Sequence, residues 1–187
     1  MEKREAIFAA ALKLFVQYGF HGTPTSKIAS EAGVSNGALF NYFKTKDELV
    51  IALYVKIKEE LNAYLLTNQK GDNVVSRIKS IFVDSISWSL ENRDAWYFIQ
   101  QFHFSPHLVQ VSKEEIEKQT QMHQDLMEDA LRAGILVSLP VELISAMMGS
   151  QIYGLHQYLL TADVSVAKSQ KLIEAAFERL LKMILKE

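Results

Sequence analysis

An all-α fold is what this 187-residue sequence predicts. Three observations carry that reading. Apolar residues recur at three- and four-residue spacing through most of the chain, the period of an amphipathic helix. Alternating apolar and polar segments joined by Asn-Gly or Asp-Gly turns, which a sheet would need, are missing. Only three prolines occur (Pro24, Pro106 and Pro140), and the eight glycines are scattered and form no Gly-rich loop.

Taken in order, the elements read as follows. Glu2 to Tyr18 carries Ile7, Ala11, Leu12, Leu14, Phe15 and Tyr18 on a helical stripe, with Gly19 where a C-terminal cap belongs. A short second helix follows Pro24, with Thr25 as its expected N-cap and Ile28, Ala29 and Ala32 facing inward; Gly33 ends it. Ser35 caps a third helix holding Leu39, Tyr42 and Phe43. Thr45 and Glu48 have capping-box spacing and open a fourth, with Leu49, Leu53, Ile57, Leu61 and Leu65 as its stripe. Ile78, Ile81, Phe82, Ser85 and Ile86 mark a fifth, ending near Glu91. The aromatic run from Arg93 to Phe104 is a sixth, broken by Pro106. Ser112 and Glu115 form a second capping box and open a seventh that Gly134 stops. Pro140 opens an eighth, reaching Leu160. Ser165 begins the last, with Leu172, Ile173, Ala176, Phe177, Leu180, Leu181 and Ile184 on a broad apolar face.

Composition bounds the function. The chain is 49% hydrophobic and 22% charged, with a net charge of −2, which excludes disorder as the dominant state. Its length suffices for a core without staples. Cysteine is absent, so disulfides, thiolate metal ligands and a cysteine nucleophile are excluded, in keeping with a reducing compartment. No stretch approaches the roughly 18 consecutive apolar residues of a membrane helix. Near the N-terminus Glu2 and Glu5 accompany Lys3 and Arg4, and Lys13 interrupts the apolar run, unlike a secretory signal. The expectation is a soluble cytoplasmic protein with no membrane partner. Charge alone does not argue for nucleic acid. The first 48 residues hold six Lys/Arg and five Asp/Glu (+1), and the remainder fourteen and seventeen (−3).

The informative segment is Thr25 to Lys46. Two short helices are joined by a turn containing Gly33, which tolerates positive φ. Ala29 is small enough for a steep crossing, and Ile28, Val34 and Leu39 fill the space beneath the corner. This is the physical recipe for a helix-turn-helix, whose second helix can enter the major groove. That helix begins Ser35-Asn36-Gly37-Ala38. Hydroxyl and amide groups can bond phosphates or base edges, the small residues permit close approach, and a helix N-terminus favours anions. Asn41 and Tyr42 lie on its outer face, and Lys44 and Lys46 follow, placed to neutralise phosphates.

The run from Thr25 through Leu49, TSKIASEAGVSNGALFNYFKTKDEL, resembles the DNA-binding signature of the TetR family of transcriptional regulators. Phe15, Tyr18, Gly19 and Phe20 suit that family's first helix. The resemblance covers about the first quarter of the chain. It implies a helix-turn-helix DNA-binding domain of three helices over 1–46. Over 47–187 it implies a helical ligand-binding and dimerisation domain, whose last two helices pair with a second copy. It implies that Thr25 meets a phosphate, that Ser35, Asn36, Gly37 and Ala38 lie at the groove, that Asn41 and Tyr42 touch bases or phosphates, and that Lys46 meets a phosphate. Phe40 stands where many members carry tyrosine and removes a hydroxyl that could bond phosphate.

Residues 80–160 are rich in aromatics and methionine. Core packing explains most of them singly; as a group, and with the resemblance, they suggest an effector pocket with adaptable walls. Trp88, Trp96, Phe102, His103, His123, Met127, Met147 and Tyr153 are the expected lining. His103 and His107 are four apart, but Pro106 breaks the helix that would align them and no acidic partner lies within one turn, so a metal site is weakly supported. No nucleophile elbow or phosphate loop occurs, and neither enzyme activity nor a cofactor is expected. The sequence thus points to a homodimeric repressor, released from a palindromic double-stranded DNA operator by an apolar or amphipathic small molecule. The alternative is a helical sensor or carrier with a vestigial DNA-binding head.

Overall fold

The structure is a computed structural model and describes residues 2–162 and 164–186. Among them the chain forms nine α-helices: α1 Lys3–Tyr18, α2 Thr25–Glu31, α3 Asn36–Tyr42, α4 Lys46–Asn68, α5 Val74–Glu91, α6 Arg93–His103, α7 Lys113–Arg132, α8 Val141–Thr161 and α9 Val166–Ile184. A single 3-10 turn at Leu108–Gln110 lies between α6 and α7. The chain divides into two compact units, one holding 1–60 and 92–116, the other 61–91 and 117–187. The first is discontinuous, because α6 belongs with α1–α3 rather than with its sequence neighbours.

In the first unit α1 packs on both α2 and α6, and α2 on α3. Its core joins Ile7, Phe8, Ala11, Leu14 and Phe15 of α1 to Ile28, Ala29, Leu39, Phe43, Leu49, Leu53, Phe98 and Phe102, all buried. Aromatic rings run through it. Phe15 meets Phe20 edge-on at 5.4 Å, Phe20 meets Phe98 at 5.4 Å, and Tyr54 stacks on Phe102 at 3.9 Å. Each fully buried phenylalanine contributes about 1.5–3 kcal/mol of transfer free energy.

In the second unit α5 packs on α8 and α9, and α8 on α9. Phe82 and Phe177 meet at 5.5 Å in a core with Ile78, Ile86, Met127, Ile144, Ile152 and Leu180. Several polar groups inside are paired, while Asn62 Oδ1 and Gln69 Nε2 are buried without a partner. Ser89 Oγ lies 2.7 Å from His156 Nδ1, and Asn62 Nδ2 donates to the backbone and side-chain oxygens of Gln119. One element departs from the helical expectation: Leu136 and Leu185 form an antiparallel bridge. Gly134, at φ 69°, turns the chain out of α7 into extended backbone beside the end of α9. The Val137 and Lys186 amides then donate to Ile184 and Ile135 carbonyls at 2.9 Å.

The caps follow the sequence with two corrections. Ser35, Ser112 and Ser165 each accept a backbone amide three residues on. Thr25, expected as the α2 cap, is instead its first residue. Pro24 takes the cap position in extended backbone, and its carbonyl accepts from Lys27 and Ile28. The Thr45 hydroxyl accepts from the Glu48 amide at 3.0 Å, but Glu48 Oε2 accepts from the Lys44 amide at 2.7 Å rather than closing the box on Thr45.

Candidate nucleic-acid interface

The corner between α2 and α3 is set by backbone chemistry. Gly33 adopts φ 66°, where a side chain would be strained, and Val34 N–H donates to Ala29 O at 3.0 Å to close the turn. Ile28, Ala29 and Leu39 are almost wholly buried beneath it. That leaves the opposite side of α3 outside. Ser35, Asn36, Gly37, Asn41 and Tyr42 are exposed, while Ala38 is half-buried. A Cβ built on Gly37 would touch nothing within 4 Å, so no packing within the protein requires glycine there. Phe40, at the tyrosine position of the resemblance, is also exposed, as is Lys44.

The supports of this surface reach far along the sequence. The buried Thr23 hydroxyl donates to Gly19 O at 2.8 Å and fixes the loop before α2. Thr25 is half-buried at the start of α2. Lys46 is half-buried too, and its ammonium donates to Phe20 O at 2.8 Å and, longer, to Thr23 O at 3.4 Å. An ammonium has three donors, so Lys46 keeps capacity for an outside acceptor. Lys27 Nζ sits 3.6 Å over the Tyr18 ring, and the Arg4 guanidinium lies over Phe8. Lys13 pairs with Glu31, a hydrogen bond and charge pairing that raise the lysine pKa and lower the glutamate's. His107 Nε2 lies 3.1 Å from Asp47 Oδ1 at the start of α4, and no group of three metal-ligating side chains occurs among the described residues.

Residues 7–53 match the family described as bacterial regulatory proteins, tetR family, and residues 54–181 match the tetracyclin repressor-like C-terminal domain. The chain belongs to the TetR family. Its members are DNA-binding transcriptional regulators, not enzymes. Over 55 residues the chain is 49% identical to the HTH-type transcriptional regulator RutR of Escherichia coli K12, a match spanning 29% of this chain and 26% of that protein. It is 36% identical over 59 residues to the fatty acid metabolism regulator protein of Bacillus subtilis, spanning 32% and 29%. The chain thus matches only about a quarter of the length of these curated relatives. In structure it is similar to a TetR family transcription regulator of Shewanella sp. PV-4, with TM-score 0.92 at 24% identity over all of both chains. It is also similar to the transcriptional regulator FadR of Bacillus subtilis in complex with stearoyl-CoA. There the TM-score is 0.77 at 19% identity, over 95% of this chain and 97% of that one.

The expected effector residues divide between the two units. Trp96, Phe102 and His103 belong to the first; Trp88, His123, Met127, Met147 and Tyr153 belong to the second. Trp88, Trp96, Phe102 and Met127 are buried, His123 and Met147 half-buried, and His103 and Tyr153 exposed. Met147 lines an open concavity on α8 and α9 with Leu143, Ala146, Ser150, Gln151 and Met183. No described helix is long and apolar enough to cross a membrane.

Two residues beside the expected set were missed. Tyr54 lies on α4 with its ring against Phe102 and 6.0 Å from that of His103. Burial pushes its hydroxyl pKa up to about 12. Lys58, one turn further, has its pKa lowered by burial. The signal was present: Tyr54 and Lys58 are four apart and sit beside the apolar stripe, where a lysine has to lose hydration.

Proposed function

We propose that this regulator is a homodimeric repressor that leaves a palindromic operator when an apolar or amphipathic small molecule binds. In this reading residues 1–46 are the DNA-binding head, and 47–187 hold the effector and the partner copy. The observation that carries it is the exposed tip of α3. Ser35, Asn36 and Gly37 project from a buried corner with nothing of the protein's own against Gly37. Thr25 and Lys46 flank the tip as phosphate contacts, while Asn36 lies at the groove and Asn41 and Tyr42 touch bases or phosphates.

One such head reads only a few base pairs. Two-fold pairing extends the site to half-sites about 34–36 Å apart. Support for pairing comes from α8 and α9, where Leu143, Tyr153 and Met183 are exposed and Gly149 and Gly154 leave open space for a close helix. Effector binding favours a conformation in which α4 re-aims the heads, and only a difference in affinity between the two conformations drives release. Binding of stearoyl-CoA by the similarly folded FadR of Bacillus subtilis supports an amphipathic effector.

The test is a fluorescence anisotropy titration of the full chain against its own promoter region, beside shuffled DNA, with mass from light scattering. The expected result is a dimer that prefers the promoter and loses it at high salt. A monomer, or equal affinity for both DNAs at low salt, overturns the proposal.

A further inference from the structure

α4 and α6 carry three side-chain donors that, among the described residues, no acceptor engages. Tyr54 and Lys58 are one helical turn apart on α4 and therefore share a face. The Tyr54 ring stacks on Phe102 at 3.9 Å with an interplanar angle of 8°, and lies 6.0 Å from the ring of His103. Among the described residues no hydrogen bond or ion pair engages the Lys58 ammonium, the Tyr54 hydroxyl or the His103 ring. Every other lysine buried to any degree in this unit is held. Lys46 donates to two carbonyls, and Lys56 pairs with Glu5 and Glu60.

Lys58 is half-buried, so its ammonium keeps only part of its hydration, and an acceptor from outside the chain would restore what is lost. Burial lowers the Lys58 pKa. The His103 pKa is lowered, by partial desolvation of the imidazole first and by the Lys58 charge second. The patch is also accessible, since His103 is exposed and the neighbouring Phe104 is 86% exposed. Unengaged donors on one face of α4 and on α6, an adjoining aromatic stack and an exposed phenylalanine fit a ligand with an anionic end and an apolar body.

We propose that Lys58, His103 and Tyr54 form a binding site for the anionic group of an amphiphilic organic acid, a carboxylate or a phosphate ester, whose apolar part lies along Phe102 and Phe104. This rests on the reading of the chain as effector-responsive and sharpens it. The effector is an acid, and Lys58 is the residue that selects it. Lys58 supplies the charge, Tyr54 remains a neutral donor, and His103 adds a second donor.

The experiment uses the full chain and four probes of equal tail length: decanoate, decyl phosphate, decanol and decylamine. Binding is read from the combined emission of Trp88 and Trp96, and release from the anisotropy of promoter DNA. Wild type is expected to bind decanoate or decyl phosphate at least tenfold more tightly than decanol, and decylamine least. Which acid binds tighter separates the carboxylate source from the phosphate source. K58M and K58Q are expected to reduce the acid-to-alcohol ratio to near one, and K58R to restore it. Thermal melting of each variant separates loss of the site from loss of the fold.

Equal binding of acid and alcohol by wild type, no binding of either acid, or a ratio unchanged in K58M and K58Q overturns the site. If the acids bind through Lys58 and the DNA stays bound, the site stands and effector-driven release falls. If decanol or decylamine releases DNA as well as the acids do, release stands and the site falls.

Discussion

The helix-turn-helix and the proposed effector site were built by different rules, and the contrast explains why one is easier to decipher. In the head, function follows backbone geometry. Gly33 bends the chain, Ser35 caps α3, and whatever then stands at 36, 37, 41 and 42 faces outward because Leu39 faces in. Spacing alone determines that arrangement. Helical spacing puts Tyr54 and Lys58 on one face of α4, but nothing local brings His103 to that α4 face. They meet because α6 packs into the unit that contains α4's first half, some fifty residues earlier in the chain. A site assembled across such a distance leaves only compositional hints.

The sharpest way to break this contrast is at Phe98, which is fully buried against Phe15, Phe20 and Phe102 although it lies on α6, far from α1–α3 in sequence. F98A is expected to cost about 3–5 kcal/mol in a melting or urea experiment. It should weaken promoter binding even at temperatures where the protein stays folded. Loss of stability with intact DNA affinity would show the head to be independent of α6.

Next in size are the head's own polar groups. N36A is expected to relax discrimination at one base pair, worth about 1–3 kcal/mol. K46A should weaken all sequences alike and lower the salt slope by about one. Because Lys46 also ties Phe20 and Thr23 carbonyls, K46A should lower stability by about 1 kcal/mol, which N36A should not. A specific loss for K46A in competition assays would reverse the assignment of the two residues.

Smaller, and opposite in sign, is the effect of K58M on the ligand-free protein. Removing an uncompensated cation is expected to raise stability by about 1 kcal/mol, a few degrees in melting temperature. The His103 contribution depends on pH. Its folded pKa is below the ordinary 6.5, so the unfolded chain binds the proton first as pH falls. The stabilisation is present above 6.5 and is lost as pH drops from there through the depressed value. H103Q should flatten stability over that window in pH-dependent melts. The least perturbing change is G37A. With open space at the Cβ and a better helix former, it should leave stability equal or higher by a few tenths of a kcal/mol. DNA affinity should nevertheless fall, because in the proposed complex the added methyl would face the groove.

Much of the fold was legible because helical period, serine caps and glycine stops are local signals. All nine described helices lie close to where the apolar stripes place them. The misreadings have a common cause. Thr25 offers a hydroxyl of the kind that often caps a helix, yet Pro24, with its fixed φ and no N–H, suits the position before the first turn as well. Glu48 reached Lys44 rather than Thr45 because two donors compete for one carboxylate. The Lys46 reach to Phe20 and Thr23 and the Leu136–Leu185 bridge depend on chain segments more than twenty residues away, which no window of sequence contains. Exposure also mattered. Sequence grouped Tyr153 with Met127, but one lies at the surface and the other in the core.

The aromatic chain from Phe15 through Phe20 to Phe98 has a practical corollary for hybrid regulators. Cutting at residue 46 and grafting a foreign head would leave Phe98 facing rings of another size and orientation. A functional chimera should therefore transplant 92–116 together with the first 60 residues, as two separate inserts that travel as a single part.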